Sequence, residues 1–515
     1  MRRRSALLPL ALVAGTLLLS APVAVATASD SARPSTATAS PIDPSYERTL
    51  TRASRALNGR ADTPVTEGRI DATLALRDLF LARPDLDPAR DRRAGVLLAR
   101  PSDGGNDPYG DGYSVRSTRA CDTHVCVHWV TSTADAPPDA GWAKTTLRVM
   151  ERVWKHHVDT LGYREPAKDG GRGGNAKFDV YLKELGSQGL YGYCAPESRV
   201  PGRRLQAAGF CVLDDDFARR QFGRAPVDTL RVTAAHEFFH AVQFAYDFRE
   251  DPWLLESTAT WIEERFADDV NDNRNYLRFG QLSRPSSTLD LFDNGGFAHY
   301  GNWPFWEFLS ERFGNQIVRQ VIQRSGTGDG LANDYSIEAV RRVLASKGGF
   351  TNLFAAYAGG NTVPGRTYEE GSAFPAAAPD ATKQLRRSSV RLAYSTRLNH
   401  LAAATIELTP DDSLAGKRWR LQLKIDAPNS RSSPAAYLIV KKEDGGLVRR
   451  SIALNDTGFG MTQISFNTRT TSLVTLTLAN VSTRYRCEAG TAFSCTGAPR
   501  DQGQRFAVNA LAYRA

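Results

Sequence analysis

Two histidines and a glutamate, closely spaced, are the residues of this chain best suited to metal chemistry. They lie in His236-Glu237-Phe238-Phe239-His240, an HExxH motif. On a helix, His236 and His240 project from one face about one turn apart, where two neutral imidazoles can take two corners of a tetrahedral zinc site. Glu237 lies about 100° round the helix, where its carboxylate can reach a water held by the metal.

The residues around the motif have the pattern of a helix with separate apolar and polar faces. The apolar positions at helical spacing are Val232, Ala235, Phe239, Val242 and Tyr246. The two histidines lie on an adjacent face, so one side of the helix can be buried while the other faces a cleft. The alternative is a core helix with two incidental histidines, because HExxH also occurs by chance.

A catalytic zinc site needs a third protein ligand and one open position. The extended pattern with a glycine and a third histidine is absent, because Gln243 and Tyr246 stand at those positions. Arg249–Pro252 breaks the helix, and Trp253–Phe266 has apolar residues at helical spacing, which predicts a second, antiparallel helix. Glu256 then lies at the height of the second histidine and is the predicted third ligand.

The neighbours of Glu256 support this assignment. Leu254 and Leu255 are apolar, and a carboxylate among apolar side chains is costly unless it is paired or bound to a metal. The alternative is a glutamate that points to water at the edge of the helix. Glu263 is the substitute ligand, although Glu263 and Glu264 together are expected to form a solvated face.

The segment V-T-A-A-H-E-F-F-H-A-V, followed by W-L-L-E-S-T-A, resembles the gluzincin clan of zinc metallopeptidases. The first part is similar to the thermolysin helix and the second to the W-L-N-E-G-x-A helix of zinc aminopeptidases. More narrowly, the chain resembles secreted bacterial metallopeptidases, most strongly over Asp179–Gly314. The resemblance implies His236, His240 and Glu256 as zinc ligands. It also implies that Glu237 is the general base for peptide hydrolysis by a zinc-activated water.

The chain departs from the pattern in three places. The spacer between His240 and Glu256 is shorter than in either named group. Thr260 stands where thermolysin-like enzymes carry an acidic partner for a histidine, so the groups that orient the histidines are unidentified. Ser257 stands where the aminopeptidase pattern has glycine.

The oxyanion donor is predicted from a downstream segment. Tyr300 is preferred because Y-G-x-x-x-F resembles the aminopeptidase tyrosine segment, and His299 is the second candidate. Alternatively, Tyr300 packs under the helix predicted at Pro304–Phe313. Gln188–Tyr193 is expected to form a wall of the cleft, either as a site of strand addition for an extended peptide or as an ordinary hairpin.

Composition and the N-terminus predict an exported soluble protein. Hydrophobic residues make up 41% of the chain and charged residues 23%, as in ordinary globular proteins. A net charge of +9 spread over 515 residues gives no reason to expect a nucleic-acid partner. Met1–Ala28 has the basic start, apolar run and A-x-A end of a signal peptide, which predicts secretion without a membrane span. The expected partner is a peptide or protein substrate, and a monomer is the default oligomeric state.

The six cysteines fall into three pairs of near neighbours, as expected for disulfides in an exported protein. The predicted disulfides are Cys121–Cys126, Cys194–Cys211 and Cys487–Cys495. The alternative for the first pair is a second metal site that includes His124 and His128.

The predicted fold class is α+β, with a zincin-like metallopeptidase domain in which a mixed sheet supports the HExxH helix. A helical segment precedes this domain, either as a removable pro-segment or as an attached subdomain, and an all-β sandwich follows it. The predicted parts are a signal peptide at 1–28, an N-terminal leader at 29–116, the metallopeptidase domain at 117–365, a linker at 366–387 and the sandwich at 388–515.

The function predicted from the sequence is that of a secreted, zinc-dependent metallopeptidase. One alternative is a non-catalytic exported protein that binds its partner on a zincin scaffold, although the intact Glu237 argues against it. The other is a metal-dependent amidase that acts on cell-wall peptide.

Overall fold

The fold combines helices with mixed β-sheets, which confirms the α+β class. The structure is a computed structural model and describes residues 44–58, 71–104, 112–292, 295–328 and 332–515. The predicted signal peptide at 1–28 lies outside these residues, as does the leader up to residue 43. Residues 44–515 form one compact unit.

The elements are numbered along the chain. The helices are α1 (Pro44–Asn58), α2 (Ala72–Ala82), α3 (Pro88–Leu97), α4 (Ala140–Trp154), α5 (Arg219–Phe222), α6 (Pro226–Asp247), α7 (Pro252–Ala267), α8 (Ala298–Gly301), α9 (Trp303–Phe313), α10 (Gln316–Ser325), α11 (Ile337–Leu344) and α12 (Phe350–Gly360). The strands are β1 (Thr118–Cys121), β2 (Val125–Trp129), β3 (Phe178–Lys183), β4 (Gly192–Val200), β5 (Arg203–Asp214), β6 (Ala381–Leu385), β7 (Arg391–Leu398), β8 (Ala402–Pro410), β9 (Trp419–Asp426), β10 (Pro434–Lys441), β11 (Leu447–Ile452), β12 (Phe459–Ser465), β13 (Leu473–Asn480), β14 (Tyr485–Arg486), β15 (Ala498–Pro499) and β16 (Gln504–Arg514).

The first sheet has the order β1-β2-β3-β5-β4. Strands β2, β3 and β5 run parallel, whereas β1 and β4 pair antiparallel at the two ends. All residues of β2 and β3 are buried, because α4 and α6 pack against the sheet. Nearly continuous apolar strands of this kind are typical of parallel sheets that are covered by other elements.

Helices α6 and α7 form the predicted pair that follows this sheet. Each helix begins with a proline, Pro226 or Pro252, at a position where the missing N–H costs nothing. The two helices pack against each other, and α6 also packs on β5. Nearly every residue of both helices is buried, including their polar side chains, so the pair lies inside the molecule.

Helix α2 connects the N-terminal segment to this core. Asp71 caps the helix, because its carboxylate accepts a hydrogen bond from the N–H of Leu74 at 2.8 Å. The helix packs against β4, and Arg77 Nη1 donates to the carbonyl of Glu250 at 2.7 Å. Helix α2 therefore belongs to the predicted helical segment that precedes the metallopeptidase domain.

All three predicted disulfides are present, namely Cys121–Cys126, Cys194–Cys211 and Cys487–Cys495. These bonds fit an extracellular protein. In the part of the chain that the structure describes, no helix has both the length and the apolar character needed to cross a membrane.

Most of the C-terminal strands form two sheets that share one core, and β14 and β15 form a separate two-stranded sheet. The orders of the two larger sheets are β11-β10-β13-β8-β6 and β12-β9-β16-β7. Leu438 and Leu476 from the first sheet belong to the same buried cluster as Leu423 from the second. Strand β6 pairs in parallel with β8, although residues 381–385 fall within the predicted linker. The β structure therefore begins before residue 388.

Candidate metal centre

Helices α6 and α7 bring His236, His240 and Glu256 together, as their spacing predicts. His236 Nε2 lies 3.2 Å from Glu256 Oε2, and His240 Nε2 lies 3.5 Å from Glu256 Oε1. Ligands that lie about 2.0–2.1 Å from a tetrahedral zinc ion are about 3.3 Å apart, which matches both distances. The three side chains are buried, and one ligand atom from each lies within 4.8 Å of the other two.

The chemistry of Glu256 tests whether this group fits a cation. Glu256 is completely buried, and its Oε1 has no hydrogen-bond partner among the described residues. Burial favours the neutral acid, but the neighbouring imidazoles of His240 and His236 outweigh it and lower the pKa of Glu256. An ionised carboxylate without a donor at one oxygen, faced by two imidazole nitrogens, fits a zinc ion well.

The second nitrogen of each imidazole is held by a different side chain. His236 Nδ1 lies 2.7 Å from Glu263 Oε1, and His240 Nδ1 lies 2.8 Å from Gln243 Oε1. When the imidazole is neutral, each acceptor favours the tautomer with the proton on Nδ1, and the lone pair of Nε2 is then available to a metal ion. These are the orienting groups that the sequence left unidentified.

The orientation of the Gln243 amide follows from its other contacts. Its Nε2 donates to the carbonyl of Leu255 at 2.9 Å and to Thr258 Oγ1 at 3.0 Å. Because both contacts need a donor, the amide oxygen must face His240. Gln243, which rules out the extended histidine pattern in the sequence, thus connects a predicted ligand on α6 to the backbone of α7.

The prediction that Glu263 and Glu264 form a solvated face of α7 is wrong. Glu263 and Glu264 are buried, because α7 is covered on this side as well. Glu263 meets His236, and Glu264 accepts a hydrogen bond from Asn273 Nδ2 at 2.6 Å. Burial raises the pKa of Glu263 to about 7. A spacing of seven residues places Glu263 two helical turns beyond Glu256 on the same face, which is the signal that could have identified it.

Glu237, the predicted general base, faces the same cleft. It is buried, and burial raises its pKa to about 6. Its Oε2 accepts a hydrogen bond from Thr73 Oγ1 at 3.2 Å. The same Oγ1 accepts the N–H of Cys194 at 3.0 Å, so the hydroxyl proton of Thr73 is directed at Glu237.

Asp71 and Thr73, at the start of α2, line the cleft together with the predicted site residues. The sequence analysis missed both, since they lie more than 150 residues before the HExxH motif and belong to no motif of their own. The fold brings them there because the apolar face of α2 packs against β4. The N-terminal segment therefore supplies part of the site.

Tyr300 lines the cleft and does not pack under the next helix. Its ring lies 5.9 Å from the ring of His236, and its hydroxyl donates to Asp71 Oδ2 at 2.6 Å. Burial, strengthened by the negative charges of Asp71 and Glu256, raises the pKa of Tyr300 well above its usual value. The phenol therefore keeps its proton and remains a hydrogen-bond donor.

His299, the second candidate for the oxyanion donor, also lines the cleft. Burial lowers its pKa to about 4, so the imidazole is neutral near pH 7. Its Nδ1 has no hydrogen-bond partner in the described part of the chain. Both candidates thus reach the cleft, and the choice between them stays a prediction.

The predicted cleft wall is formed by Gly189, Leu190, Tyr191 and Gly192. Gly192 begins β4, and a Cβ there would lie 2.9 Å from the carbonyl of Val212 and 3.1 Å from Glu237 Cγ. Glycine is therefore required for the strand to approach the site closely. Further along β4, the N–H of Cys194 donates to Thr73 Oγ1, so this N–H is not available to an added strand.

Comparisons with known proteins give no family for the chain. No protein-family model and no curated protein matches it. One solved structure is described by its title as CorA, a surface-associated copper-binding protein important in Methylomicrobium album BG8 copper acquisition. The match has 8% identity and a TM-score of 0.17, and it covers 27% of this chain and 99% of that one. A likeness of this size carries no argument about fold or function.

Proposed function

We propose that the chain is a secreted zinc metallopeptidase of the gluzincin type, with a zincin-like catalytic domain. The observation that supports it best is the convergence of His236 Nε2, His240 Nε2 and the carboxylate of Glu256 at tetrahedral spacing. The unpartnered Oε1 of Glu256 supports a bound cation. The three disulfides support an exported protein.

A Zn²⁺ ion held by these three residues would supply Lewis-acid polarisation and make a water acidic near neutral pH. Glu237 then accepts the proton of the attacking water and passes it to the leaving amine. The hydroxyl of Thr73 holds the Glu237 carboxylate in place during this transfer. A pKa of about 6 suits both steps, because the carboxylate is ionised at pH 7 and still basic.

Tyr300 is the proposed donor to the oxyanion of the tetrahedral intermediate, with His299 as the second candidate. Donation by Tyr300 requires its hydroxyl to turn from Asp71 to the substrate, because the hydroxyl now donates its hydrogen bond to Asp71. The proposed substrate is an extended peptide that lies against Gly189–Gly192.

The test combines metal analysis of the purified full chain with hydrolysis of a peptide library. We expect one equivalent of zinc in the wild-type chain and in Glu237→Gln, because residue 237 is not a ligand. We expect kcat/KM to fall by ~10²–10⁴-fold in Glu237→Gln, the usual contribution of a general base. The amide keeps the size of the side chain, so the loss would report proton transfer.

Two results would replace the proposal by its alternatives. Stoichiometric zinc without cleavage of any peptide would indicate a non-catalytic binding protein. Hydrolysis of cell-wall peptides, with no cleavage in the protein-derived library, would indicate an amidase. A wild-type chain that binds no zinc would contradict the metal centre itself.

A further inference from the structure

The wall of the cleft at Phe292 is held by the C-terminal part of the chain, residues 388–515. Phe292 lines the cleft, and its ring lies 4.5 Å from the ring of His299. It ends the 285–292 segment, which belongs to the long connection between α7 and α8. The position of the Phe292 ring in the cleft therefore depends on what holds this segment.

Backbone hydrogen bonds tie the segment to the C-terminal part. The N–H of Leu289 donates to the carbonyl of Leu401 at 3.1 Å. The N–H of Phe292 itself donates to the carbonyl of Ala492 at 2.9 Å. Ala492 lies in the loop that the disulfide Cys487–Cys495 closes. The main chain at the cleft wall is thus paired with a cross-linked loop more than 190 residues further along the chain.

Asp290 and His400 connect the same two parts by a buried ion pair. Asp290 Oδ1 lies 2.8 Å from His400 Nε2, and neither residue is more than 1% exposed. The backbone N–H of His400 donates to Gln502 Oε1 at 3.0 Å, and His400 Nδ1 lies 3.1 Å from the same oxygen. Because an amide oxygen and a carboxylate only accept, both ring nitrogens donate and the imidazole is positively charged. Burial favours the neutral acid, but the charge of His400 outweighs it and lowers the pKa of Asp290.

The other oxygen of Asp290 is held beside the disulfide loop. Asp290 Oδ2 accepts hydrogen bonds from the hydroxyl of Tyr485 at 2.7 Å and from the N–H of Ser494 at 3.0 Å. The imidazolium, the hydroxyl and this N–H all come from the C-terminal part. A buried carboxylate with three such donors has one well-defined position. Asp290 therefore anchors the segment two residues before Phe292.

We propose that the C-terminal part of the chain forms part of the substrate site, with Asp290 as a positioning residue for the cleft wall at Phe292. This inference rests on the proposed peptidase function, because it assigns Phe292 to contact with the bound peptide. Asp290 is completely buried, so it acts through the segment that it anchors. A ring that is already held in place costs little ordering entropy when the peptide binds. The metal ligands and Glu237 lie on α6 and α7, so Asp290 should affect KM and leave kcat nearly unchanged.

The test is a double-mutant cycle on peptide hydrolysis by the zinc-loaded full chain. Asp290→Asn removes the negative charge and leaves the His400 cation unpaired. It should raise KM by ~10-fold, about the cost of ordering one side chain, and change kcat by less than ~2-fold. Phe292→Ala should raise KM by a similar factor. If Asp290 acts through Phe292, adding Asp290→Asn to Phe292→Ala should raise KM no further.

Hydrogen exchange gives a second measurement that needs no substrate. The amides of Leu289 and Phe292 should exchange ~10-fold faster or more in Asp290→Asn, because local opening becomes easier. Peptides from α6 and α7 should keep their wild-type exchange, and the zinc content should not change. His400→Gln removes the charge from the other partner and should give the same pattern, which guards against a folding defect in one variant.

Leu476→Ala is the matched control for general destabilisation. Leu476 lies in the sandwich core, whereas Phe292 and Leu401 belong to a different buried cluster. The control should keep the wild-type KM and the wild-type exchange of the 285–292 segment.

Unchanged exchange in both Asp290→Asn and His400→Gln would overturn the anchoring of the wall. An equal rise of KM with and without Phe292→Ala would overturn the positioning role. If the wild type cleaves no peptide, the peptidase proposal and the role in substrate binding fail together. The exchange result then still decides whether the C-terminal part holds the wall.

Discussion

The α6–α7 helix pair and the core of the C-terminal sandwich are both buried, yet they contain different kinds of side chain. The helix pair encloses two histidines and several acids, among them Glu237, Glu256 and Glu263. The core shared by the two sandwich sheets is largely aliphatic, with residues such as Leu423, Leu438 and Val508.

This difference indicates that the sandwich core contributes mainly to stability, whereas the polar interior of the helix pair has another role. Burial of each aliphatic side chain stabilises the sandwich by an amount that grows with the apolar area removed from water. A buried carboxylate destabilises the fold unless another group compensates it. The acids of the helix pair meet imidazoles, amides and a hydroxyl, and Glu256 Oε1 still has no partner among the described residues. We infer that the polar interior of the helix pair serves the proposed metal centre.

The largest effect in the helix pair is expected from Glu256→Ala, which removes a proposed zinc ligand. This variant should lose zinc affinity by more than ~100-fold, since removal of a direct ligand exceeds the effect of a supporting group. Peptide hydrolysis should be lost with the metal. Zinc content after gel filtration measures the effect, with Glu264→Gln as the control for removal of a buried acid from the same helix. Wild-type zinc affinity in Glu256→Ala would show that Glu256 is not a ligand.

Leu476→Ala tests whether the sandwich core contributes to stability without affecting the metal centre. Leu476 is fully buried in the sandwich core, so the cavity should lower the free energy of unfolding by ~2–5 kcal/mol. Zinc binding and kcat/KM of the folded variant should stay at wild-type values. Urea denaturation measures the first effect and metal analysis the second. Loss of zinc from folded Leu476→Ala would show that the two regions are not separable.

The smallest expected effect comes from Glu263→Gln. The amide can still accept the hydrogen bond from His236, but the negative charge that increases the basicity of the ligand is lost. Zinc affinity should fall by ~10–100-fold, measured by competition with a chelator. Equal affinity in Glu263→Gln and the wild type would reduce Glu263 to a packing role.

The local parts of the structure could be predicted from the sequence, because they depend on spacing along the chain. The four-residue separation of His236 and His240 places them on one helical face. The break before Pro252 and the apolar pattern after it predict an antiparallel partner helix that brings Glu256 to the same height. The three disulfides join cysteines separated by 17 residues or fewer, so pairing of near neighbours predicts them.

The remaining site residues depend on tertiary packing, which sequence spacing does not specify. Glu263 lies on the predicted helix, but its burial depends on how α7 is covered by the rest of the chain. Thr73 and Asp71 reach the cleft because α2 packs on β4, a contact between segments more than 100 residues apart. Contacts of this kind follow from the shape and apolar area of whole elements.

The sequence by itself identified the candidate reactive groups, namely the two histidines of HExxH, Glu237 and Glu256 on the next helix. Only the tertiary structure decided which atoms those groups face. It placed Glu263 and Gln243 on the outer imidazole nitrogens and Thr73 on the carboxylate of Glu237. The physical reason is that a helix fixes the positions of residues three to seven apart, whereas contacts between distant segments arise only when their apolar faces pack together.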